Sequence, residues 1–124
     1  MKKLIMGAAF AGALLAQQAH AACTYPVAPG KFPDGSVATR DEMQAAKKTV
    51  VQYDADMNTY LVCIRSEYET SVAAQSDAKK KADLEKTHAQ KEDAALAEVQ
   101  DVVGRFNEQL KAWKAKNGAE KKTS

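Results

Sequence analysis

The sequence predicts an all-α fold: an antiparallel, coiled-coil-like two-helix hairpin preceded by an extended N-terminal arm. Three observations carry this. Between Ser36 and Val103 the chain has neither proline nor glycine, and alanine, glutamate, lysine and glutamine, all good helix formers, dominate it. Two stretches repeat apolar residues at alternating spacings of three and four, the pattern of helices that pack along a seam. The segment between them is polar, with Tyr68, Val72 and Leu84 as its larger apolar side chains.

Taken in order, residues 1–21 read as a secretory signal peptide. Lys2 and Lys3 form a positive n-region, Leu4 to Ala16 is uncharged and apolar, and Ala19-His20-Ala21 places small residues where signal peptidase cuts. The apolar run of about 13 residues is shorter than the roughly 20 a membrane-spanning helix needs. The mature chain is then expected to start near Ala22, without a transmembrane segment and in a periplasmic or secreted location. Removing Lys2 and Lys3 takes the 18 basic residues to 16 against 16 acidic ones. With a net charge of zero the basic pI is no sign of a nucleic-acid partner, and none is expected.

Residues 22–38 hold all three prolines and the Pro33-Asp34-Gly35 turn signal. Proline removes amide donors and biases its predecessor to extended backbone, so this segment is the arm. Helix begins at Thr39, where Thr39-Arg40-Asp41-Glu42 fits a capping box. It is expected to end at Asn117-Gly118, behind Lys111, Lys114 and Lys116, which leaves 118–124 as a lysine-containing tail.

Inside 39–117 the first seam is Met43, Ala46, Val50, Tyr53, Met57, Tyr60 and Ile64. The second is Leu96, Val99, Val103, Phe106, Leu110 and Trp113. One unbroken helix would leave both seams to other chains, whereas a hairpin can match them. Thr87-His88-Ala89-Gln90 is a second capping-box pattern and favours a turn there. A turn near 74–79 instead sets Met57 against Leu96, Tyr53 near Val99, Val50 near Val103, Ala46 near Phe106 and Met43 near Leu110. A cap contributes about 1 kcal/mol, each large apolar side chain buried about 1.5–3 kcal/mol. The earlier turn is therefore predicted. A homodimer whose seams meet to form a bundle is the remaining assembly.

Leu, Ile, Val and Phe make up only 16 residues after position 21, a thin supply for a globular core. A staple is expected, and Cys23 and Cys63 are the two cysteines. In an exported chain such a pair forms a disulfide. The arm can span about 53 Å extended against about 36 Å of helix from Thr39 to Cys63, so it can run back along the helix. Tyr25, Val27 and Phe32 would then cover apolar surface. Closing the loop stabilises by about 4 kcal/mol in the chain-entropy model. The alternative, lipidation of Cys23, wants a leucine-like residue where His20 stands.

Catalytic and metal chemistry find little purchase, and no cofactor is expected. After export His88 is the one histidine, read as a solvated side chain, so a zinc site would lack its three or four Cys and His ligands. Asp54, Asp56, Glu67 and Glu69 are acid pairs two residues apart, which face different sides of a helix. Gly104, inside the second helix, is read either as a close approach of another helix or as a tolerated cost. The remaining candidate contacts are basic: Lys79, Lys80 and Lys81 at the hairpin tip, and Lys111 and Lys114 near the helix end. The expectation is a small exported non-enzymatic protein with a structural, adaptor or chaperone-like role toward a protein partner. The alternative is a secreted inhibitor or effector that binds an external target.

Overall fold

The computed structural model describes residues 22–122, so the signal-peptide reading of residues 1–21 lies outside the described residues. Two helices, α1 (Arg40–Ala73) and α2 (Ala78–Lys122), fold back on each other as an antiparallel hairpin. The extended arm before α1 lies along both helices and is joined to α1 by a disulfide between Cys23 and Cys63.

The start of α1 follows its local chemistry. Thr39 Oγ1 accepts the Glu42 amide at 3.2 Å, and Glu42 Oε2 accepts the Thr39 amide at 2.7 Å, a reciprocal capping box. The Thr39 amide, with its hydroxyl second, holds the Glu42 carboxyl below its usual range. Just upstream, the Asp34 carboxylate accepts the Ser36 amide at 2.9 Å and hydroxyl at 2.6 Å, and its carbonyl accepts the Val37 and Ala38 amides. The Ser36 hydroxyl and then its amide lower the Asp34 carboxyl in turn. This tight turn delivers the arm into the helix.

Packing explains why the chain folds back where it does. All seven residues of the first seam, Met43 through Ile64, are buried. The connection falls at residues 74–77, inside the predicted interval, and Asp77 caps α2 by accepting the Lys80 amide at 3.0 Å. Thr87 caps nothing: it lies within α2, and its hydroxyl bonds back to the Asp83 carbonyl at 2.9 Å. Core matching outweighs the second capping box.

The second seam is corrected. Ala95, Val102 and Phe106 are the buried residues of α2, Val99, Val103, Leu110 and Trp113 pack partly against them, and Leu96 is 49% exposed. Tyr68 stacks on His88 and Arg65 reaches Glu92 across the hairpin. Those pairs set Met57 level with Val99 and Val50 level with Phe106, about three residues further along α2 than the seam pairing predicts. The reason is that α2 faces the arm as well as α1.

The C-terminal boundary also differs from expectation. Helix α2 continues through Asn117 and Gly118 to Lys122. Gly118 does not adopt the left-handed conformation of a helix stop, and Asn117 Nδ2 donates to the Trp113 carbonyl at 2.8 Å within the helix.

Two glycines with opposite environments follow from this packing. A Cβ at Gly35 would sit 1.8 Å from the Gln109 carbonyl oxygen and 2.9 Å from the Trp113 nitrogen, both backbone atoms of α2. A Cβ at Gly104 meets nothing within 4 Å, so no close approach among the described residues explains that glycine. Gly35→Ala is expected to destabilise by about 3 kcal/mol or more, as overpacking against an unyielding backbone does. Gly104→Ala is expected to stabilise by about 1 kcal/mol through helix propensity. Urea denaturation of the two variants checks both, and a tolerated Gly35→Ala would contradict the arm's placement.

Candidate functional site

A disulfide straps the arm to α1. Cys63 projects from α1 one residue before the seam position Ile64, and the arm brings Cys23 to it with a Cα–Cα distance of 5.7 Å, well inside disulfide range. Glu67, one turn further along, accepts the Cys23 amide at 3.4 Å. Its carboxylate lies within 4.8 Å of both sulfurs, but each sulfur is bonded to the other, which leaves no thiolate to ligate a metal.

From there the arm descends the groove between the helices. Tyr25 meets the Tyr60 ring edge-on at 4.8 Å, and Phe32 meets Phe106 in the same way at 5.7 Å. Val27 does not cover apolar surface as expected: it is 92% exposed. Strict alternation from Cys23 and Tyr25 would turn Val27 inward; the arm does not keep that alternation past Pro26.

An arm without regular secondary structure carries backbone groups that need partners, and one polar face of α2 supplies them. Arg105 donates to the Gly30 carbonyl at 2.6 Å and the Pro29 carbonyl at 3.1 Å, with its guanidinium 5.6 Å from the Phe32 ring centre. Asp101 holds Arg105 from one turn away at 2.8 Å. Gln109 accepts the Gly35 amide at 3.0 Å, and Glu98 accepts the Tyr25 hydroxyl. Sequence reasoning missed Glu98, Arg105 and Gln109. Their signal is the spacing of seven and four that puts them on one helix face beside the seam.

Desolvation makes two tyrosines here weaker acids. Desolvation, followed by the hydrogen bond to Glu98, pushes the Tyr25 phenol well above its usual range. Desolvation also raises Tyr53, with the Glu98 charge acting in the same direction and Arg105 opposing it. Tyr53 is 4% exposed, and its hydroxyl is buried without a hydrogen-bond partner.

The other candidates are dispersed. His88 is not solvated: it stacks on Tyr68 at 4.7 Å and sits 3.7 Å from Glu92, with 14% of its side chain exposed. Asp56 and Asp54 accept from Gln52 and Asn58 on their own helix, and Glu69 is exposed. Lys79, Lys80 and Lys81 are exposed in the first turn of α2, where their charge opposes the helix dipole. Lys111 is exposed. Lys114 joins Lys116, Arg40 and Trp113 around a cleft of about 760 Å³ at the open end of the hairpin. Among the described residues no helix is long and apolar enough to cross a membrane.

Two stability measurements test this construction. Replacing both cysteines by serine is expected to cost about 4 kcal/mol, the loop-closure value, read as a lower urea midpoint. A loss under about 1 kcal/mol would show that side chains alone hold the arm. Tyr53→Phe removes an unpartnered buried hydroxyl and is expected to gain about 1 kcal/mol, raising Tm by about 4–8 °C. A lowered Tm would reveal a partner for that hydroxyl. No protein-family model, curated protein or solved structure matches the chain.

Proposed function

We propose that this chain is an exported, non-enzymatic helical protein of a bacterial-type cell envelope that acts by binding another protein, in a structural, adaptor or chaperone-like role. The observation that carries the reading is where unengaged charge lies. The reactive groups along the arm and between the helices, Tyr25, Glu98, Arg105, Asp101, Glu67 and His88, are tied into holding the arm and the hairpin together. The lysines singled out by sequence, Lys79 to Lys81 at the tip and Lys111 and Lys114 toward the open end, project from a covalently strapped scaffold. A rigid two-ended scaffold with projecting charge suits recognition better than turnover, because little ordering entropy is lost on binding. Export is supported by the apolar leader pattern and by a disulfide, which persists in oxidising compartments.

One observation favours the alternative of a secreted inhibitor or effector. Val27 projects from an arm segment fixed on one side by the disulfide and on the other by Arg105, as a presented recognition residue would. Fractionation separates the two readings. Retention in the envelope, with recovery of specific proteins by the disulfide-intact mature chain as bait, is expected for the first. Release into the medium with no envelope partner recovered would replace it by the second.

A further inference from the structure

The cleft at the open end brings together shape, apolar surface and unpaired charge from both helices and the arm. It forms where the end of the arm and the first turn of α1 face the late turns of α2. Its walls are Val37, Ala38, Thr39 and Arg40 on one side and Trp113, Lys114, Lys116, Asn117 and Gly118 on the other. Three of these side chains are cationic and none is acidic. Among the described residues Arg40, Lys114 and Lys116 take part in no ion pair. The nearest acids along α1 do not neutralise them equally: Glu42 is turned back onto Thr39 by the capping box, and Asp41 remains beside Arg40. The apolar part is Val37, 71% exposed, together with the half-buried Trp113 ring.

A groove lined by Gln44, Lys47, Lys48, Val51 and Gln52 has shape, charge and the exposed Val51, but no aromatic side chain and a single helix for its walls. Lys79, Lys80 and Lys81 are exposed charges in the first turn of α2 and line neither the cleft nor that groove. The groove beside Val27 and Pro29 has shape, but Asp56 sits in its wall together with Lys48. The groove under Phe32 is shared between Lys31 and Glu108.

We propose that the open-end cleft docks an acidic peptide segment of a protein partner, one apolar side chain lying against Val37 and Trp113 and its carboxylates meeting Arg40, Lys114 and Lys116. This rests on the interaction role proposed above and names the chemistry of the partner. A concave site a few side chains wide admits a peptide, whereas a flat bilayer would meet only its rims. A nucleic-acid backbone wants a continuous basic track, which Glu108 breaks in the adjoining groove.

Trp113 is the sole tryptophan, so its emission reads the cleft directly. The probe is a blocked hexapeptide of four glutamates flanking a Leu-Phe pair, titrated into the disulfide-intact mature chain. A saturable change in Trp113 emission is expected, several-fold weaker in 300 mM than in 50 mM salt because the charges are exposed. The lysine counterpart of the peptide is expected to give no change. Lys114→Glu with Lys116→Glu should weaken binding at least tenfold, and Lys79→Glu with Lys80→Glu should leave it unchanged, circular dichroism verifying the helices of each. No saturable change, equal affinity in the Lys114/Lys116 variant, or saturation by phosphatidylglycerol vesicles but not by the peptide would each overturn the proposal. Using the Lys114/Lys116 variant as bait keeps the two readings apart. Partners recovered equally by wild type and variant would sink the cleft and leave the interaction role standing, whereas no partner for either would sink the role itself.

Discussion

The arm held across the groove by the Cys23–Cys63 bond is the constraint on which the rest of the structure depends. Two helices with so few large apolar residues cannot cover each other: a seam on one helix faces a seam on the other, and the flanks stay wet. The arm adds a third layer along one flank, where Tyr25 closes over Tyr60 and Phe32 over Phe106. The distribution of the core follows. From Ala38 to Ile64 on one side and Ala95 to Phe106 on the other, buried residues occupy the half of the hairpin that the arm covers. Beyond Ile64, toward the turn, the helices meet through half-buried groups such as Tyr68 stacked on His88 and Leu84. Covalent closure acts at the upper edge of the core, where the arm would otherwise fray into solvent.

Covering a groove with irregular backbone brings a cost that a third helix would not. Prolines strip the arm of donors, and its carbonyls have no ladder to join. Helix α2 meets this with a polar face: Arg105 takes the Pro29 and Gly30 carbonyls, Gln109 takes the Gly35 amide, and Glu98 takes the Tyr25 hydroxyl. A helix has only one rotation about its axis. Turning that polar face toward the arm carries Ala95 and Val102 into the core and Leu96 out of it. The alanine is small, and that suits a place where three layers converge.

This explains which parts of the fold were legible in the sequence. Helix α1 meets α2 and, at Tyr60, the arm through a single seam, so its period of three and four named every buried residue from Met43 to Ile64. Its start was legible because a capping box is a local device, complete within Thr39 to Glu42. Helix α2 serves two neighbours, and a seam chosen by size alone preferred Leu96 to Ala95. The polar face that decides the matter is intelligible only once the arm is in place. His88 was misread for a related reason: its stacking partner Tyr68 lies twenty residues away and becomes its neighbour only through the hairpin. Of the candidate surface, Lys114 was legible as charge, but Arg40, Trp113 and Lys116 come together only when opposite ends of the helical region meet.

That meeting depends on two departures from simple expectation. Gly35 lets the arm press its backbone onto Gln109 and Trp113, which seats the turn at 35–37 between the helix ends and places Val37 to Thr39 as one wall of the cleft. The opposite wall needs α2 to run on through Asn117 and Gly118 instead of stopping there. Alanines and lysines in this stretch favour helix, and Asn117 bonds back to the Trp113 carbonyl within the helix. The same lysines that help to prolong the helix thus line the cleft, with Trp113 beside them. The strap at one end of the arm and the glycine contact at the other both fix where that wall stands, so the shape of the open end is a consequence of how a sparse core was completed.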